Sequence, residues 1–148
     1  MRVLITAMVL LFTTSVHAAE PERFVSKITL PTGNTVVVAE GDFEARSLGS
    51  FSVRLYDAAA APDETTFFTS GLIRPRDGTI EKVMLADIDG NKQPEIIVVV
   101  RSVGSGNYLS AHAFSVNKDK LVFRAAVGEL AADANPVEAL RKAKKSKG

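Results

Sequence analysis

Two hydroxyls stand three residues apart in the segment Val103-Gly104-Ser105-Gly106-Asn107-Tyr108. Residues of these types can present donors and acceptors to another molecule. Tyr108 offers a large rigid face with a polar tip. Gly104 and Gly106 let the backbone around Ser105 approach a partner closely. The same residues suit a plain hairpin, because Gly and Asn accept positive φ and Ser makes local hydrogen bonds. A loop that only reverses the chain needs about two to four residues, and it does not need a Tyr at its exit. Arg101 stands just before the segment, and Arg124 falls on a neighbouring predicted strand. Either could bring a cation toward an acidic partner.

A second cluster sits in "DIDGNKQPE", where Asp87, Asp89 and Asn91 occupy alternate positions, as calcium ligands do. An EF-hand loop would need Gly where Lys92 stands and Glu where Val98 stands. A strand–turn–strand also accounts for the segment, with Asp and Gly serving backbone geometry. A calcium- or glycan-binding β module is therefore the alternative reading. Catalysis has little to build on. His112 lies between Ala111 and Ala113 in a predicted strand, and no G-x-S-x-G elbow surrounds Ser105. Cysteine is absent, which removes thiol nucleophiles, thiolate metal sites and redox chemistry. The reading is a non-enzyme without a cofactor. The end "RKAKKSKG" puts five cations in eight residues, either a solvated helix end or a contact for an anionic surface.

Residues 1–18 read as a signal peptide. Arg2 gives the positive start, Val3 to Phe12 the apolar stretch, and "SVHA" the small residues before a cut after Ala18. The apolar stretch is shorter than the roughly 20 residues that span a bilayer. No Cys follows for lipid attachment, so no membrane anchor is expected after cleavage. The formal net charge of +1 resides in that leader, through Arg2, and the remainder is neutral. Long-range attraction to nucleic acid is not expected. Residues 19–148 suffice for one domain with its own core.

Strand signals dominate that domain. "RFVSKITLP" and "TVVVAE" flank a turn at Thr32-Gly33-Asn34. "SFSVRLYDA" alternates, "TTFFTSGLIR" ends at a turn in "PRDG", and "TIEKVMLADI" ends at Asp89-Gly90. "PEIIVVVRS" is apolar throughout, so both of its faces should be covered. "YLSAHAFSV" and "KLVFRAAV" meet at "NKD". About eight short strands predict an all-β antiparallel sandwich or barrel-like domain. One short C-terminal helix is expected in "NPVEALRKAKK", capped by Asn135 with Pro136 at its first position.

The stretches "VVVAEGDFEARSLGSFSVRLYD" and "GLIRPRDGTIEKVMLADIDGNKQPEIIVVVRSVGSGNYLSAHAF", behind a signal peptide, resemble the periplasmic inhibitors of i-type (invertebrate) lysozyme. The resemblance covers most of the chain after the leader. It implies a β-sandwich-like, non-catalytic periplasmic protein whose partner is an i-type lysozyme. It also implies that a Ser-Gly-x-Tyr loop enters the lysozyme's substrate cleft. Here that motif is Ser105, Gly106 and Tyr108, with Asn107 in the variable place. A homodimer is left open.

Overall fold

The computed structural model describes residues 22–61 and 64–146. The leader expected at 1–18 lies outside the described residues. Eight antiparallel strands form two four-stranded meanders. The first joins β1 (Val25–Thr29), β2 (Thr35–Glu40), β3 (Leu48–Tyr56) and β4 (Phe68–Asp77). The second joins β5 (Thr79–Ala86), β6 (Glu95–Arg101), β7 (Leu109–Asn117) and β8 (Lys120–Leu130). A helix, α1 (Pro136–Lys145), follows. The sheets stay separate, so the sandwich form of the expected fold is the one adopted.

Alternation along the strands builds the core. Val36 and Val38 of β2, with Phe51, Val53 and Leu55 of β3, face Ile96, Val98 and Val100 of β6 and Phe114 of β7. The odd residues of β6, Ile97 and Val99, point the other way and pack with Ala111, Ala113 and Leu140 of α1. The small alanines let the helix lie close to the sheet. This double covering explains the unbroken apolar run: every residue from Glu95 to Val100 is buried. The helix starts as its sequence demands. The Asn135 side chain accepts from the backbone N–H groups of Val137 and Glu138, with Pro136 in the first turn.

One element departs from expectation. The "PRDG" turn is three further residues of β4 followed by a corner at Gly78 alone, where the chain passes to the second sheet. Pro75 is tolerated because β4 is an edge strand with hydrogen bonds on one side only. Arg76, buried, ties the corner together. Its guanidinium donates to the carbonyls of Ala45 (3.1 Å), Arg46 (2.8 Å), Ser50 (2.9 Å) and Gly78 (2.5 Å).

His112 is a core residue, its ring edge-on to Phe51 at 5.2 Å between centroids. Burial, and then the Arg74 cation, lower its pKa from 6.5 to about 4. The unfolded chain therefore takes up a proton between those pH values that the folded protein refuses. The stability linked to this group is complete above pH 6.5 and is lost as pH falls toward 4, by on the order of 2–3 kcal/mol. Thermal unfolding followed across this range should give a steeper acid slope for the wild type than for His112→Gln. Parallel slopes would remove His112 as the cause.

Candidate functional site

The loop between β6 and β7 is exposed from Val103 to Tyr108, while β6 and the start of β7 beneath it are buried. Its neck closes where the Ser102 N–H donates to the Tyr108 carbonyl at 2.9 Å. Its tip is a four-residue turn in which the Asn107 N–H donates to the Gly104 carbonyl at 3.1 Å. Asn107 takes a left-handed conformation, φ 46°, which Asn adopts more readily than most residues. The Tyr108 ring folds back across Gly106: a Cβ there would stand 2.7 Å from Tyr108 Cζ. At Gly104 a Cβ would meet nothing within 4 Å. Gly106 thus makes room for the ring, and the hydroxyls of Ser105 and Tyr108 remain on the exposed tip.

Arg101 supports this loop from below. It pairs with Glu81 of β5 and donates to the carbonyls of Asn107 (3.1 Å) and Ala132 (3.3 Å). The hydrogen bond to Arg101 lowers the Glu81 pKa, and the same bond raises that of Arg101. Both groups stay charged at neutral pH, and Arg101 acts as a brace. Gly78 presses on the same place from the first sheet. With φ 121°, its N–H donates to the Ser47 carbonyl at 2.9 Å. A Cβ on it would stand 2.6 Å from the carbonyl carbon of Arg101 and 2.8 Å from Ser102 Cα. The sequence shows Gly78 as a turn residue only and gives no local sign of the roles of Arg76 and Glu81. A Gly after "PRD" reads as an ordinary turn, and its contact with residue 101 is long-range.

Arg124 does not join this site. β8 pairs Leu130 with Leu109 beside the loop, so Arg124 lies roughly 20 Å down the strand at about 3.3 Å per residue. The hairpin starts β8 at the far end of β7, and this corrects the proximity expected from sequence. Arg124 instead approaches Asp89 at 3.7 Å.

Asp87, Asp89 and Glu95 do converge at that far end. Both oxygens of Asp87 and of Asp89, and one of Glu95, have partners within the protein. Asp87 accepts from the backbone N–H groups of Asp89 (3.1 Å), Gly90 (2.7 Å) and Lys92 (2.9 Å). These bonds, that of Lys92 foremost, lower its pKa. Glu95 accepts from the Ile88 N–H at 2.9 Å. Asn91 accepts from the Gln93 N–H at 2.7 Å. The ammonium of Lys144 sits 2.5 Å from Asp89, and Arg141 donates to the Asp87 carbonyl at 2.9 Å. Lys144, Arg141 and Arg124 bring positive charge to this loop, and the basic helix end is partly occupied in holding it.

A family model described as periplasmic lysozyme inhibitor of I-type lysozyme matches residues 22–144. The chain belongs to this family. The family consists of inhibitor proteins that act on lysozyme in the periplasm, not of enzymes. The crystal structure of an inhibitor of this family from Aeromonas hydrophila is similar, with 45% identity and a TM-score of 0.71. The match covers 79% of this chain and 98% of that one. The Aeromonas hydrophila inhibitor solved in complex with Meretrix lusoria lysozyme is also similar, at 45% identity and TM-score 0.70. That match covers 80% of this chain and 95% of the other. No curated protein sequence matches. As a member of an inhibitor family, the chain needs a surface that a lysozyme can receive.

Proposed function

We propose that the chain inhibits i-type lysozyme by placing the loop 103–108 in the enzyme's substrate cleft. One observation carries this reading. Ser105 and Tyr108 stand on a narrow, hydrogen-bonded tip that projects from a strand buried on both faces. Glycoside hydrolases of this kind set two carboxyl groups on either side of the scissile bond. The cleft around them is shaped to receive sugar hydroxyls. Ser105 and Tyr108 offer hydroxyls of the same chemistry from a backbone that is already ordered. Each hydrogen bond to a charged group contributes about 1.5–3 kcal/mol. Shape complementarity over about 800 Å² per partner supplies the rest of a stable complex. Inhibition is competition with peptidoglycan and needs no covalent step. Gly106 sets the position of the Tyr108 ring, Asn107 closes the turn, and Arg101 fixes the neck.

The test is a panel of lysozymes. The protein should block cell-wall lysis by i-type enzymes, act poorly on c-type and g-type enzymes, and keep its effect in excess chelator. No inhibition of several i-type enzymes at a large molar excess would sink the reading.

A further inference from the structure

The loop 41–47, between β2 and β3, emerges at the same end of the sandwich as the loop 103–108. Its Phe43 is fully exposed, with a relative accessibility of 105%. Phe43 is also left-handed, φ 58°. That conformation is uncommon for any residue but Gly, Asn and Asp, and a bulky side chain makes it a true outlier. Such strain persists only where the surroundings over-determine it, and it concentrates at functional sites. The surroundings here do so. The Glu44 carboxylate turns inward over Gly41 and Gly49, where a Cβ on Gly41 would stand 2.6 Å from Glu44 Cδ. It accepts from the Ser50 N–H at 2.6 Å and the Ser50 hydroxyl at 2.7 Å, and it faces the buried Arg76 at 3.7 Å. These bonds, the Ser50 N–H first, hold the Glu44 pKa below its usual value. Arg76 grips the carbonyls of Ala45 and Arg46, and Arg23 donates to that of Glu44. A fully exposed apolar ring is thus held out on a braced loop.

The loop is physically joined to the 103–108 site. Gly78 bonds Ser47 on one side and packs on Arg101 and Ser102 on the other. Leu48 and Val103, the residues that follow Ser47 and Ser102 at that junction, are both exposed apolar side chains. Both loops are therefore fixed relative to each other before any partner arrives.

We propose that Phe43 is a second docking point for lysozyme, seating its ring on apolar surface at the rim of the cleft that receives the loop 103–108. This rests on the cleft reading above. Clefts that bind sugars and other ligands are lined chiefly by apolar and aromatic side chains, which suit an unaccompanied Phe ring. A prefixed aromatic anchor loses little freedom on binding. The two contacts have different chemistry: Ser105 and Tyr108 meet polar groups in the cleft, and Phe43 meets apolar surface beside it.

The test compares wild type, Phe43→Asn, Phe43→Ala and Tyr108→Ala for thermal unfolding and for affinity toward an i-type lysozyme by calorimetry. Asn keeps the left-handed backbone and removes the ring. Phe43→Asn should unfold at or above the wild-type temperature and bind about tenfold more weakly or worse, and Phe43→Ala should match it in affinity. Such a loss supports Phe43 even if Tyr108→Ala binds as wild type, a result that would remove only the cleft-loop reading. If Tyr108→Ala weakens binding and Phe43→Asn does not, Phe43 is no docking point. If neither weakens it, both readings fall. Sedimentation without lysozyme closes the remaining route: a dimer that Phe43→Asn dissociates would assign the ring to a second copy and overturn the proposal.

Discussion

Tyr108→Ala should weaken inhibition of an i-type lysozyme by tenfold or more, Ser105→Ala should do likewise, and neither should change the thermal unfolding temperature. The stability half of this expectation follows from exposure. Tyr108 is 54% accessible, and its ring lies across Gly106 on the exposed tip. Surface truncations of this kind usually shift stability by no more than about 0.5 kcal/mol. The binding half follows from the anchor role. Truncating a hot-spot Tyr typically costs about 2 kcal/mol or more, and tenfold corresponds to about 1.4 kcal/mol. On the cleft reading each hydroxyl has its own partner groups, so the double variant should lose roughly the product of the single factors. Glycine variants separate the turn from the ring it carries. Gly104→Ala adds a methyl to space that is open in the free protein and should leave the unfolding temperature and the Tyr108 ring position unchanged. Gly106→Ala drives a methyl into the Tyr108 ring, which must swing away, so inhibition should fall without unfolding. Full activity of the Ser105→Ala, Tyr108→Ala double variant would remove the loop from the mechanism.

Much of this arrangement is legible in the sequence because it rests on local rules. Alternation shows the inward faces of β2 and β3, and the unbroken apolar run shows that β6 is covered twice. Asn135 and Pro136 mark the helix start. The loop is visible because Gly, Ser, Asn and Tyr interrupt apolar strands. What stays hidden depends on which strand meets which. The extension of β4 through Pro75–Asp77 is masked, since those residues form turns unless an edge strand accepts them. Arg101 invites a reading as a free cation facing acids. Its partners Glu81 and Asn107 show a brace, and the first of these lies twenty residues away. Phe43 looks unremarkable between Asp42 and Glu44 until its backbone angle and exposure are known.

Gly78→Ala is the substitution that should join stability to inhibition most strongly, although residue 78 lies outside the loop. Two effects combine there. At φ 121° any side chain is strained. The new methyl would also overlap the backbone of Arg101 and Ser102, which cannot rotate aside as a flexible side chain can. Relief requires the corner between β4 and β5 to part from the neck of the loop 103–108. That movement pulls on the Ser47 hydrogen bond and on the Gly78 carbonyl held by Arg76. The cost should be roughly 2–4 kcal/mol, seen as a fall of about 10 °C in thermal midpoint. Inhibition measured well below that midpoint, where the variant is still folded, should drop at least severalfold because the neck is displaced. Gly90→Ala is the matched control. Gly90 is also left-handed, φ 79°, but its Cβ would meet nothing within 4 Å, and it lies at the other end of the sandwich. It should lose about 1 kcal/mol from backbone strain alone and inhibit as wild type. If Gly78→Ala and Gly90→Ala behaved alike in both assays, the packing of Gly78 on the loop neck would be without consequence. The loop would then owe its position to its own hydrogen bonds and to Arg101.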